Sequence, residues 1–167
     1  MEATEDVSIR RAGARDLLAT LQVLATEHPE REGPTTPSTL EQRTWTQMMR
    51  DGSPMVYLAE MAGLAIGTAT LLVMPHVTYA CRPTAFIEAV VVTPAHRRRG
   101  VATAIIHRVL EDAKSLDCNK VQLLSHKRHS DDGAHRLYTA IGFEPEAEGF
   151  RLYLGDVPPA VQAARVN

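Results

Sequence analysis

Two cysteines, Cys81 and Cys118, stand alone in a chain of 167 residues. Their isolation excludes both a disulfide framework and a zinc ribbon. A chain so poor in cysteine suits a reducing compartment, and we expect it to be cytoplasmic. No apolar run approaches the length that crosses a bilayer, and residues 1–6 hold three acids rather than the apolar stretch of a signal peptide. No membrane partner is expected. Neither sign of charge prevails, since 18 Lys and Arg face 20 Asp and Glu for a net charge of -2. Binding to a phosphate backbone draws on a basic stripe, and the one basic cluster here is short, so nucleic acid is not an expected partner. His126, His129 and His135 with Asp131 and Asp132 fit no standard ligand spacing, and no metal is expected. There is no internal repeat and no low-complexity block.

The chain does contain enough apolar sequence for a core, 44% against 23% charged. A chain of this length buries roughly two-thirds of its unfolded surface, which predicts one domain over 1–167 with a loose tail at 156–167. Residues 7–10 read as a short strand, and Leu17, Leu21, Leu24 and Ala25 fall at helical spacing. Three prolines and a glycine make 29–37 a loop. Ser38 and Glu41 then form a capping box for a helix that Gly52 and Pro54 end. Residues 55–60 and 64–73 read as a hairpin turning at Met61-Ala62-Gly63.

Residues 86–92 are almost wholly apolar, as in a central strand covered on both faces. The next helix places Val101, Ala102, Ile105, Ile106, Val109, Leu110, Ala113 and Leu116 on one stripe. A strand at 120–125 follows. Ala134, Leu137, Tyr138 and Ile141 then mark a last helix with Gly142 as its C-cap. Phe143 is expected to open another strand, and 150–154 to form the final one.

Between the apolar strand and its helix lies Arg97-Arg98-Arg99-Gly100-Val101-Ala102. The first N–H groups of a helix have no intrahelical partner, and the helix dipole adds roughly half a positive charge to them. Gly100 and Ala102 keep the surface bare while the arginines add charge, so the turn suits a diphosphate. No Gly-Lys-Ser or Gly-Lys-Thr follows, which excludes a P-loop.

Taken with Ala134-His-Arg-Leu-Tyr138 and Gly142-Phe143, this strand, turn and helix resemble the GNAT superfamily of N-acetyltransferases. Ile9-Arg10-x-Ala12 with Asp16, and Ala59-Glu60-x-x-Gly63-x-x-Ile66-Gly67, are similar to its opening and its hairpin. The resemblance implies an α/β fold with a mixed central sheet of six to seven strands flanked by about four helices. It implies acetyl-CoA as cosubstrate, with the diphosphate on Arg97, Arg98, Arg99, Gly100, Val101, Ala102 and Thr103 and the pantetheine arm beside Val90, Val91 and Val92. Asp131 stands where the family often has an asparagine that contacts the cofactor. An ionised Asp cannot donate as that asparagine does, though it could cap the helix, a place for which Ser130 and Asp132 compete.

The same resemblance implies that Tyr138 is the acid that protonates the departing sulfur. A phenol of reference pKa about 10 stays protonated at neutral pH and can serve a thiolate whose acid lies near 8.5. The competing reading makes Tyr138 an amphipathic residue on its helix's apolar face. Glu88 is a lone carboxylate in an apolar strand, costly to bury without a purpose or a partner. It is read as a general base, as an ion-pair partner of Arg82, or as a contact to the substrate amine. One of the loop histidines is an alternative base. Trp45, Met48 and Met49 are packing or pocket wall.

The expected reaction is direct attack in a ternary complex by a primary amine of an amino sugar, polyamine, amino acid or antibiotic. The alternatives are a non-catalytic acetyl-CoA sensor or scaffold, and a protein N-terminal or lysine acetyltransferase. Self-association into a homodimer is left open. Ile87-Glu88-x-Val90-Val91-Val92 and Asp117-Cys118-x-Lys120-Val121 look like the glucosamine-phosphate branch, except that Ala89 stands where that branch commonly has an acid.

Overall fold

A computed structural model describes residues 6–28, 32–125 and 133–155. Among them, five strands form one sheet in sequence order: β1 (Ser8–Arg11), β2 (Met55–Met61), β3 (Leu64–Met74), β4 (Thr84–Val92) and β5 (Lys120–Leu123). The first three pairings are antiparallel and β4 with β5 is parallel, so the sheet is mixed. Four helices accompany it: α1 (Leu17–Ala25), α2 (Thr39–Asp51), α3 (Val101–Ser115) and α4 (Ala134–Ile141).

Local chemistry accounts for most of these boundaries. Ser38 Oγ accepts from the Glu41 N–H while Glu41 accepts from the Ser38 N–H, so the expected capping box opens α2. Gly52 closes that helix at φ +67, its N–H donating to the Met48 carbonyl at 2.9 Å. The β2–β3 turn places Ala62 and Gly63 at φ +50 and +77, the two left-handed residues of a tight hairpin whose twist matches its strands.

The parallel β4–β5 pair needs a crossover, and α3 supplies it. Val101, Ile105, Ile106, Val109 and Ala113 of α3 are buried against Tyr57, Ala59, Ala69, Leu71, Ala85 and Ile87 of the sheet. Gly67 permits that contact, because a Cβ there would lie 2.9 Å from Ile105 Cδ1 and 3.3 Å from Val101 Cγ1. Val56 and Leu58, of opposite parity on β2, are left for the other face, where α1 buries Thr20 and Val23.

Polar clamps join these layers. Arg10 pairs with Asp16 before α1 and with Glu60 of β2 at 2.6 Å each. Asp112 of α3 accepts from the buried Tyr57 hydroxyl at 2.6 Å and pairs with Arg11 and Arg108. Burial alone would push the Asp112 carboxyl up, but the donors from Tyr57 and Arg11 hold it below the ordinary value.

Three expectations are corrected. The sheet has five strands among the described residues, short of six to seven. Phe143 opens no strand and 150–154 forms none; Phe150, Leu152 and Leu154 are exposed with no sheet edge paired to them. Alternating apolar residues specify a strand only when a neighbour takes up their backbone groups. The α3 stripe stops one residue early, with Leu116 as C-cap and 41% exposed. The expected tail at 156–167 lies outside the described residues.

Candidate active site

β4 does not run as a regular strand. Thr68 and Thr70 of β3 face Val91 and Glu88 of β4, so two steps on one strand oppose three on the other. This is a β-bulge, and Ala89 occupies it at φ +52. The pairing of β4 with β5 ends at Ile87 and Leu123. Beyond that point no strand pairs with residues 88–92 on the β5 side among the described residues, where the Val92 carbonyl is taken by Arg97. The expectation of a strand covered on both faces is therefore corrected, since Glu88 and Ala89 are exposed.

Glu88 alternates with Ala85 and Ile87 of the α3-side core, so it belongs to the opposite face, with Phe86. Its exposure removes the burial cost that singled it out. Arg82 is not its partner either: Arg82 pairs with Asp117 at 3.1 Å and reaches the Cys118 carbonyl. Glu88 is thus an accessible carboxylate just past the point where the β5 pairing ends.

The turn after β4 is drawn back onto the sheet. Thr93 N–H donates to the Ile66 carbonyl at 2.9 Å, Thr93 Oγ1 meets His96 Nδ1 at 2.8 Å, and Arg97 Nε donates to the Val92 carbonyl at 2.9 Å. Arg97 thus braces the turn to the end of β4. Arg98 has φ +64 and Gly100 φ +81. A Cβ on Gly100 would meet only open space, so glycine serves there through its backbone freedom.

The first intrahelical bond runs from the Ala104 N–H to the Gly100 carbonyl at 3.0 Å. The N–H groups of Gly100, Val101, Ala102 and Thr103 make no hydrogen bond among the described residues. Arg98, Arg99 and Gly100 are exposed, Ala102 and Thr103 half-buried, and Val101 anchors the helix in the core. Of the other expected cofactor residues, Val90 is half-buried while Val91 and Val92 are buried.

On α4, Tyr138 is half-buried and packs against the core, with its ring edge-on to Phe143 at 6.0 Å between centroids. Gly142 closes the helix at φ +108, as expected. Gly133 is the N-cap at φ +96, and the expected capping by Asp131, Ser130 or Asp132 falls on residues outside the described ones. Asp131, His126 and His129 lie outside the described residues. His135 on α4 keeps its Nε2 buried with no hydrogen-bond partner among the described residues. Trp45 is packing, its Nε1 donating to the Gly13 carbonyl at 3.2 Å, and Met48 and Met49 line a small cavity with Arg11 and Met55, none of whose walls come from β4.

The arrangement combines three capacities. Unpaired N–H groups at the start of α3 can hold a phosphate, a free strand edge can pair an amide-bearing chain, and an exposed carboxylate can exchange protons. The bulge that joins them left little trace in the sequence, where Ala89 is only a poor strand former beside the lone Glu88.

Comparison with known proteins agrees with this geometry. The family model described as acetyltransferase (GNAT) family matches residues 17–143. A glucosamine 6-phosphate N-acetyltransferase of Trypanosoma brucei brucei is 31% identical over 99 residues, 59% of this chain and 64% of that protein; the chain thus spans just under two thirds of that relative's length. A solved structure from Agrobacterium tumefaciens str. C58, assigned as an acetyltransferase, is 32% identical and superposes with a TM-score of 0.78 over 87% of this chain and 99% of its own. A transcriptional regulator of Bacillus halodurans C-125 reaches 0.81 at 24% identity, over 89% and 100% of the two chains, a likeness of fold alone. With the strand, the glycine-capped turn and α3 all inside the matched region, the chain belongs to the GNAT acetyltransferase family.

Proposed function

We propose that this protein is an acetyl-CoA-dependent N-acetyltransferase acting on a primary amine of a small molecule. The observation that carries the reading is the conjunction of the bulge at Ala89, a β4 edge that β5 leaves beyond Ile87, and a following helix start whose N–H groups are unpaired. The residues fit the cosubstrate. The N–H groups of residues 100–103 and the cations of Arg98 and Arg99 suit its diphosphate, and the strand edge suits its amide-bearing arm.

In this reading Glu88 takes a proton from the incoming ammonium, directly or through a water. The freed amine forms the new C–N bond at the thioester carbon. Main-chain N–H groups along 88–92 offset the charge that grows on the carbonyl oxygen. As the C–S bond breaks, the Tyr138 hydroxyl gives its proton to the sulfur, the surplus proton on the new amide nitrogen returns to the phenolate directly or through a water, and thiol and amide leave. Asp131 is a further contact to the cosubstrate in the same reading.

The acceptor is proposed as an amino sugar phosphate. Support comes from the trypanosomal relative, named for glucosamine 6-phosphate. The test is an acetyl-CoA turnover screen over glucosamine 6-phosphate, polyamines, amino acids, aminoglycosides and N-terminal peptides, reading thiol release and product mass. Acetylated glucosamine 6-phosphate is the expected product. Turnover of another amine alone removes the sugar assignment, and binding of acetyl-CoA without any turnover supports the sensor reading instead.

A further inference from the structure

A Cβ at Gly133 would overlap Nη1 of Arg98, with Cζ of Arg98 3.6 Å and Nη2 of Arg136 3.8 Å from the same point. The Arg98 guanidinium therefore lies on the α carbon of Gly133, where only a hydrogen leaves room. Arg98 belongs to the turn before α3, and its backbone holds φ +64, a conformation that a residue with a side chain keeps only when its surroundings impose it. The preceding residue, Arg97, is tied to the Val92 carbonyl. Gly133 is itself the N-cap of α4, so the Arg98 guanidinium lies against the start of that helix.

The electrostatics of this contact are unusual. Two guanidinium groups meet at the end of α4 where the helix dipole is also positive. An anion held by the N–H groups of residues 100–103 would stand on Arg98's own turn and relieve that concentration of like charge. A phosphate oxygen there accepts a charge-assisted hydrogen bond from Arg98 and settles its orientation. Whatever settles Arg98 also settles Gly133, and Tyr138 follows five residues later, about 7.5 Å along the helix axis.

We infer that Arg98 is a positioning residue that couples filling of the diphosphate turn to the placement of α4, and through it of Tyr138. The inference rests on the diphosphate reading given above. It predicts that occupancy of one helix start is felt at another, through a side chain that need not touch the reacting atoms.

Hydrogen exchange of the full chain with and without CoA tests it, in the wild type and in Arg98→Ala. In the wild type, CoA is expected to protect residues 97–103 and also 134–138. In Arg98→Ala, protection of 97–103 persists at saturating CoA while the ligand-dependent protection of 134–138 disappears, a difference that a purely structural role would not produce. Unchanged protection of 134–138 in Arg98→Ala overturns the coupling. Absence of protection at 97–103 in the wild type overturns the diphosphate reading itself, so the two failures are distinguishable.

Calorimetry supplies a second arm. Gly133→Ala is expected to weaken CoA binding roughly tenfold, the worth of one charge-assisted bond, but less than about twofold when Arg98 is already alanine. Equal losses in both backgrounds overturn the inference. Should Gly133→Ala fail to fold, the exchange experiment on Arg98→Ala decides alone.

Discussion

Gly100 and Tyr138 carry distinct burdens that single substitutions separate. Gly100 sits at φ +81 with open space around it, so Gly100→Ala meets no clash but takes on left-handed strain of about 1–2 kcal/mol. We expect a lower melting temperature and weaker CoA binding, because relaxing φ re-aims the N–H groups of the first α3 turn; unchanged CoA affinity would argue against the phosphate turn. Tyr138→Phe keeps the edge-on packing with Phe143 and deletes only the hydroxyl. Its expected result is a fall in kcat of roughly 100-fold or more, as for loss of a general acid, with CoA affinity nearly unchanged. Equal turnover at saturating substrates would remove the proton-donor role.

The helix that carries the turn is positioned by one missing side chain. At Gly67 the close approach of α3 leaves no room for a Cβ, which would meet Ile105 Cδ1, Val101 Cγ1 and the Val91 carbonyl within 3.3 Å. Gly67→Ala is therefore overpacked, and a cost of about 1–3 kcal/mol in urea unfolding is expected. Because Val101 follows Gly100 directly, the displaced helix start should also weaken CoA binding. A stability loss without any change in CoA affinity would show that α3 can shift while its first turn stays in place.

Acid stability is a property of the whole molecule. The Asp16 carboxyl is held below its ordinary value chiefly by the hydrogen bonds from Arg10, and Asp112 is lowered against its burial by Tyr57 and Arg11. A depressed folded value means that these carboxylates stabilise the fold above their unfolded pKa of about 3.9. That contribution is lost as pH falls through the folded values. The melting temperature should hold between neutrality and about pH 5 and decline below about pH 4, and Asp112→Asn should flatten the decline while lowering the plateau. A decline of the same steepness in Asp112→Asn would exclude its carboxylate from the acid response. The clamps join β1, β2, α1 and α3, so their loss is felt by the domain rather than by one element.

Elements with local causes were legible in the amino-acid order: the Ser38–Glu41 box, the Ala62-Gly63 hairpin, the α3 stripe and Gly142 as a helix stop all follow from neighbours within a turn. The glycine turn before α3 was legible for the same reason, since its course is set by backbone that the next few residues dictate. It took the folded arrangement to establish that β4 bulges at Ala89, that Glu88 is exposed, that Arg82 chooses Asp117, and that Arg98 lies on Gly133. The strands expected after Phe143 fail on the same account. Each of these depends on a partner distant in the chain, and side-chain periodicity records which face a residue prefers, not which backbone or charge will be waiting there.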